Sequence, residues 1–147
     1  MATEDELYDK LAELQSQLAA PKREMTGNPL VRALSFLLAD TFSIYHEAHG
    51  FHWNVKGPDF AEYHALFASI YEDMFDSVDA MAENILKLGY DAPFHLSRLV
   101  EMRTIEETDP EDNPQSMSME LLKAIAQLTG ELKAAFTIAN DMNEQGI

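Results

Sequence analysis

The sequence contains no cysteine and few basic residues. With no Cys among its 147 residues, the chain can form no disulfide bond and no thiolate metal site. Only 10 Lys and Arg stand against 26 Asp and Glu, so the formal net charge is −16. Because clustered Lys and Arg drive binding to phosphate backbones, nucleic acids and anionic membranes are poor partners. An acidic surface attracts cations, and His, Asp and Glu are suitable ligands for iron, manganese or zinc.

The sequence also lacks a long apolar run. Its strongest run, residues 33–39, is seven residues long, whereas a membrane span needs about 18 or more. The first residues are acidic, where a signal peptide would be basic and then apolar. We therefore expect a cytoplasmic protein that does not bind a membrane.

Four segments show the periodicity of amphipathic helices, and none shows the alternation of a half-buried strand. A long connection separates the third segment from the fourth, and its middle, residues 96–102, is compatible with a short helix. Long antiparallel helices with one long crossover are typical of a ferritin-like four-helix bundle. We predict an all-α fold, with residues 1–24 as an N-terminal amphipathic helix or extension and residues 25–147 as the ferritin-like domain. The predicted helices cover residues 4–19, 29–53, 60–88 and 117–142.

Residues at the helix starts support this assignment. Thr3 with Glu6, and Asp59 with Glu62, have the spacing of a capping box. Asn28 is a favourable N-cap for the second helix.

Histidines concentrate near the predicted turn between the second and third helices. His52 lies just before this turn, and His64 lies about one helical turn after it. Because the turn makes the two helices antiparallel, both imidazoles are expected at a similar height on neighbouring helices. His46 and His49, each taken alone, are better explained as partly buried or exposed polar residues.

Two carboxylates on the third helix form a second candidate group. Asp79 and Glu83 are four residues apart, so they share a helix face. Like charges at this spacing disfavour the helix unless a cation lies between them. A metal site and a solvated acidic face explain this spacing equally well, since other acidic residues lie nearby.

One chain cannot combine the two histidines and the two carboxylates in a single site. The 15 residues from His64 to Asp79 span about 22 Å of helix, at about 1.5 Å per residue. Two copies of this helix crossing antiparallel about a two-fold axis would place His52 and His64 of one subunit opposite Asp79 and Glu83 of the other, with two equivalent sites per dimer. Any site made from these residues is therefore predicted to lie between subunits.

The turn and its two helices carry a specific set of residues. The steps are 12 residues from His52 to His64, 15 to Asp79 and 4 to Glu83. This pattern resembles the ferroxidase constellation of the Dps family of mini-ferritins, within the ferritin-like superfamily. The resemblance covers residues 29–89 well and residues 117–142 more loosely. The matching residues are HWNVKGPDF at 52–60, His64, Phe67, Asp76, Asp79, Ala82, Glu83, Leu88 and Gly89.

The resemblance implies an iron-storage and detoxification protein that acts against oxidative stress. Members form hollow shells of twelve subunits, oxidise Fe(II) with hydrogen peroxide or dioxygen at sites between dimer partners, and store ferric mineral inside. By this resemblance His52, His64, Asp79 and Glu83 are the ligands of iron, two ions per site. Trp53 is expected beside the site, where it would intercept oxidising equivalents.

Other di-iron bundles use a Glu-x-x-His motif within one bundle core. No such motif occurs in this sequence. This absence argues against an ordinary ferritin, a rubrerythrin or a di-iron oxygenase.

The sequence departs from the family in two respects. Some members bind DNA through a basic tail, but the N-terminus here is acidic, so we predict no direct DNA binding at physiological salt. The family also has a final long helix that has no counterpart after residue 142, so three of the four long bundle helices are expected. Either this sequence is a piece of a longer protein, or the first helix or a neighbouring subunit supplies the missing face. By resemblance, Asp141 and Glu144 are candidates for the iron entry pore.

Two functions remain open at this point. The first is a ferroxidase shell that stores iron. The second is a ferritin-like structural or partner-binding module, in which the metal site is vestigial or holds zinc. A nucleoid-binding role ranks third because of the net charge.

Overall fold

The computed structural model describes residues 1–18, 27–110 and 113–147, and these residues form helices and no strand. The predicted all-α fold is confirmed. The predicted domain boundary between residues 24 and 25, and the predicted end of the first helix at residue 19, lie outside the described residues. The helices are α1 (Glu4–Leu18), α2 (Pro29–Asn54), α3 (Phe60–Lys87), α4 (Leu96–Met102) and α5 (Pro114–Asp141).

Side-chain caps define the starts of α1 and α2. Thr3 N donates to Glu6 Oε2 at 2.8 Å and Glu6 N donates to Thr3 Oγ1 at 3.3 Å, so the predicted capping box is confirmed. Asn28 Oδ1 accepts from Leu30 N at 3.0 Å and from Val31 N at 3.1 Å. Both caps satisfy amide groups that the first helical turn leaves without a partner.

Two expectations about helix starts are wrong. Asp59 makes no side-chain cap bond at the start of α3, because its backbone (φ −101°, ψ 29°) lacks the extended conformation from which a cap reaches back. Helix α5 begins at Pro114, three residues before the predicted start. Asn113 caps it by accepting from Ser116 N at 2.8 Å, and proline is well suited to the first helical position.

Helix α2 is the centre of the packed domain, and α3, α4 and α5 all pack against it. The fully buried residues Phe67 and Ile85 of α3 and Leu121 of α5 join the α2 side chains in one core. Each such side chain stabilises the fold by about 1.5–3 kcal/mol relative to exposure. A smaller cluster around Leu99 and Met102 attaches α4 to α2. The core therefore fixes α3 antiparallel to α2 across the short turn at residues 55–59.

Three leucines on one face of α1 are solvent-exposed. Leu7, Leu11 and Leu14 are each about half exposed and none belongs to the core. In this chain α1 therefore does not supply the fourth face of the bundle. The expectation that the first helix could replace the missing final helix is wrong for the single chain. The three long helices α2, α3 and α5 form the bundle.

Candidate metal centre

The turn at residues 55–59 brings His52 and His64 into direct contact. His52 Nδ1 lies 2.7 Å from the carbonyl oxygen of His64, and His64 Nδ1 lies 2.8 Å from the carbonyl oxygen of His52. The two rings stack, with 3.6 Å between centroids and 18° between planes. The expected proximity of the two imidazoles is observed.

These two hydrogen bonds determine which ring nitrogen is free. A carbonyl oxygen can only accept, so each Nδ1 carries the proton and donates it. In a neutral imidazole, Nε2 then keeps its lone pair and can bind a metal ion. An Nδ1–H bond to a backbone carbonyl is also the usual way in which a protein orients a metal-binding histidine. The arrangement suits two Nε2 ligands, one from each helix.

Aromatic residues surround this histidine pair. Phe60 stacks on His64 with 4.8 Å between ring centroids, and Tyr71 meets the His52 ring edge-on at 5.2 Å. Trp53 is 60% exposed beside them. Its indole contacts His49 at a centroid distance of 4.3 Å.

His49 was not selected from the sequence, yet it is central to this aromatic shell. Its ring stacks on Tyr71 at 4.1 Å, and its Nδ1 shares a 3.3 Å hydrogen bond with the Tyr45 hydroxyl. The signal that could have found it is the spacing of Tyr45, His49 and Trp53, which are four residues apart on α2. His49 is partly buried, which agrees with the expectation, and its ring packs beside the two histidines.

Asp79 and Glu83 lie farther along α3 and are both exposed. At 3.6 residues per turn, the 15-residue step from His64 to Asp79 places these two residues only about 60° apart around the helix axis. His64 and Asp79 therefore lie on the same side of α3, although they are about 22 Å apart along the helix. Across the residues that the structure describes, no three His, Asp or Glu side chains of one chain gather closely enough to hold a metal. A site that uses both ends needs a second copy.

An open cavity of about 330 Å³ lies on α2 and α3 beside the aromatic shell. Tyr45 and Tyr71 line it together with Phe75, which is 58% exposed. Two acidic residues of α3, Glu72 and Asp76, complete the lining. Aromatic side chains are enriched at interfaces between subunits, whereas carboxylates are depleted there, so this lining by itself does not define an interface.

The two candidate pore residues lie at the end of α5. Asp141 is the last residue of the helix and is exposed. Glu144 is partly buried in the following turn, where its backbone N donates to Ala139 O at 2.9 Å. Their role in iron entry stays a prediction.

Comparisons with known proteins agree with this fold. The ferritin-like domain family matches residues 31–146. A "DNA protection during starvation protein" from Helicobacter pylori strain J99 is 33% identical over 114 residues, which cover 77% of each chain. A relative of the same description from Brevibacillus brevis is 29% identical over 108 residues, covering 74% of this chain and 72% of that protein.

Solved structures show the same likeness. The DPS protein from Vibrio cholerae O1, described as a member of a broad superfamily of ferritin-like diiron-carboxylate proteins, matches with a TM-score of 0.76 and 29% identity over 80% of this chain and 74% of that chain. A Dps protein from Bacillus brevis matches with a TM-score of 0.76 and 27% identity, over 80% and 78%. The chain therefore belongs to the ferritin-like family, as a mini-ferritin of the Dps group.

None of the helices in residues 1–18, 27–110 and 113–147 is both long enough and apolar enough to span a membrane.

Proposed function

We propose that this protein stores and detoxifies iron. It binds Fe(II) at ferroxidase sites shared by two copies of the chain, oxidises it with hydrogen peroxide or dioxygen, and keeps the ferric mineral in a hollow homododecameric shell in the cytoplasm. Membership of the Dps group supports the general role in iron storage. The observation that carries the proposal is the reciprocal Nδ1–carbonyl pairing of His52 and His64, which leaves both Nε2 atoms available.

In this proposal the substrate iron is bound by four side chains from two subunits. His52 and His64 of one copy supply neutral nitrogen ligands, and Asp79 and Glu83 of the other supply anionic oxygen ligands. This mixed set suits Fe(II). The carboxylates also offset the charge that the iron gains when it becomes Fe(III).

The stoichiometry of the reaction explains its protective value. Two Fe(II) ions about 3.5–4 Å apart can deliver two electrons together. Hydrogen peroxide accepts both electrons and two protons, its O–O bond breaks, and two water molecules form while both irons become Fe(III). No hydroxyl radical leaves the site in this balance. Trp53, exposed beside the histidine pair, is the residue proposed to intercept oxidising equivalents when only one iron is bound.

Substitution of one ligand from each half of the site tests this proposal. We expect His52→Ala and Asp79→Ala each to lower the initial rate of Fe(II) oxidation by peroxide by at least about tenfold, since even outer-shell changes at metal sites cost about 10–100-fold. Stopped-flow absorbance of the ferric product measures the rate. His95→Ala and Asp73→Asn are matched controls, because both side chains are exposed and outside the proposed ligand set.

Wild-type rates in both ligand variants would contradict the proposed site. Metal analysis of the purified protein distinguishes the proposed iron oxidation from the remaining alternative function. Stoichiometric zinc with no rapid iron oxidation would favour the ferritin-like structural or partner-binding module.

A further inference from the structure

A buried carboxylate on α2 anchors the segment that follows α4. Asp40 is 0% exposed. Its Oδ1 accepts from Thr104 N at 2.7 Å and from Ile105 N at 3.0 Å, and its Oδ2 lies 2.7 Å from the Thr104 hydroxyl. Three donors thus compensate the burial of this charge. Asp40 thus attaches the segment after α4 to the central helix, in addition to the apolar contacts of α4 and Ile105.

A second carboxylate, on α5, shares the same hydroxyl group. Glu131 Oε1 lies 3.1 Å from Thr104 Oγ1, and Gln127 Nε2 donates to both atoms at 3.0 and 2.8 Å. A hydroxyl has one proton, so Thr104 cannot donate to Asp40 and Glu131 at once. Glu131 Oε2 is buried without a donor among the described residues. Desolvation and the neighbouring Asp40 raise the pKa of Glu131, although the amide of Gln127 opposes this.

A third carboxylate lies on the other side of the same segment. Glu47 of α2 lines a cavity of about 380 Å³ between α2, α5 and the crossover, and its buried Oε1 has no donor among the residues described. Desolvation by burial raises the pKa of Glu47 from its ordinary value of 4.5 to about 7, and the charges of Glu120 and Glu107 add to the shift.

The charged groups facing Glu47 come from two elements. On α5, Glu120 accepts from the Thr108 hydroxyl at 2.9 Å and pairs with Lys123 at 3.5 Å. On the crossover, Glu107 forms an ion pair with Arg103. The exposed Glu106 also lines the cavity. In the ion pairs of the described residues neither cation is a partner of Glu47, and the charges there that affect it are those of Glu120 and Glu107.

We propose that residues 103–108, between α4 and α5, form a pH-sensitive latch that is closed when Glu47 and Glu131 hold protons and loosens when they ionise. In the closed state Glu131 can donate its proton to Asp40, and Glu47 is uncharged beside Glu120 and Glu107. Ionisation leaves two buried oxygens without donors and places like charges across the cavity. Opening of the segment then becomes more favourable in free energy, because it exposes these carboxylates of α2 and α5 to water. The latch does not depend on iron oxidation, so it stands or falls separately from the proposed function.

The direction of the pH effect follows from proton linkage. The closed state binds protons more tightly than the open state, in which these carboxyls have their ordinary pKa. Closure is therefore strongest at acidic pH, weakens as pH rises from about 4.5 to about 7, and changes little above that. Each pH unit in this window changes the closed-to-open ratio by at most about tenfold per carboxyl. Partial exposure of both groups reduces this limit.

Hydrogen exchange at Thr104 and Ile105 measures the latch directly, because both amides donate to Asp40 in the closed state. We expect the protection factor of a peptide covering residues 103–108, corrected for the intrinsic exchange rate, to fall about tenfold from pH 5.5 to pH 8 in the intact, metal-free protein. Glu47→Gln combined with Glu131→Gln keeps the shape of both protonated side chains and should remove this pH dependence.

Glu101→Gln is the matched control, because this α4 glutamate is exposed and pairs only with the nearby Arg98 in the described contacts. It should retain the wild-type fall in protection. If the double variant does not fold, Glu47→Gln alone should at least halve the fall. Equal protection of the wild type at both pH values, or an unchanged fall in the folded Gln variants, would overturn the proposal.

Discussion

His52 and His64 each depend on a backbone carbonyl of the other residue. Both 2.7–2.8 Å bonds cross the turn between α2 and α3, so the orientation of the two imidazoles is determined by the shape of that turn. Gly57 has φ +114° within it, a conformation that residues with a Cβ rarely adopt. The turn that orients the two imidazoles thus includes a backbone conformation that favours glycine.

Gly57→Ala tests this dependence. No atom lies within 4 Å of an added Cβ, so the cost comes from the backbone conformation alone. We expect a loss of about 1–3 kcal/mol in the free energy of unfolding, measured by chemical denaturation, with slower Fe(II) oxidation.

Gly50→Ala is the matched control. Gly50 lies in α2 with equally open surroundings, where alanine should stabilise the helix by about 0.5–1 kcal/mol. Similar destabilisation by both substitutions would contradict a special role for Gly57.

At the scale of the helix, α2 is the element against which α3, α4 and α5 all pack. It carries Asp40, then Glu47 about two turns later, and then His52 about one and a half turns further on. Each of these residues faces a different neighbouring element. Asp40 holds the crossover, Glu47 faces the cavity next to α5, and His52 pairs with α3. A shift of α2 would therefore disturb both the latch and the ligand pair.

Asn28→Ala tests how far α2 depends on its N-terminal cap. The Asn28 side chain accepts two amide hydrogen bonds, and loss of such a cap costs about 1 kcal/mol. We expect the free energy of unfolding to fall by that amount. Asp59→Ala, at a position whose side chain makes no cap bond, should change it much less.

At the scale of the whole molecule, the proposed ligands are so far apart in one chain that the proposed chemistry needs an assembly of at least two copies. His64 and Asp79 lie about 22 Å apart on one rigid helix, so no local rearrangement can join them. The net charge of −16 favours the approach of Fe(II) to such an assembly. The same charge is the basis for expecting no direct DNA binding, which stays a prediction.

Native mass spectrometry tests the assembly. A closed shell of twelve copies should have a mass of about 200 kDa, twelve times the 16.6 kDa of the chain. We expect this particle in dilute neutral buffer, with symmetric dimers as its subcomplexes. A monomer that oxidises iron rapidly would contradict shared sites, whereas a small oligomer with tight partner binding would favour the structural alternative.

The sequence by itself determined the helices and the proximity of the two histidines. Helix periodicity and turn residues act over a few positions. The sequence is therefore compatible with a short helix at residues 96–102 and predicts that His52 lies beside His64. The spacing of Asp79 and Glu83 on one face follows from the same regular geometry. The Dps resemblance then gave these positions an expected role, which the single chain does not test.

Tertiary structure alone decided which groups are buried and which atoms are free. Asp40 meets Thr104 across 64 residues of chain, and no local pattern encodes that contact. Packing also set the Nδ1 tautomer of the histidines, placed His49 in the aromatic shell and raised the pKa of Glu47. Such properties depend on desolvation and on partners far away in sequence, whereas helical spacing depends only on the local backbone.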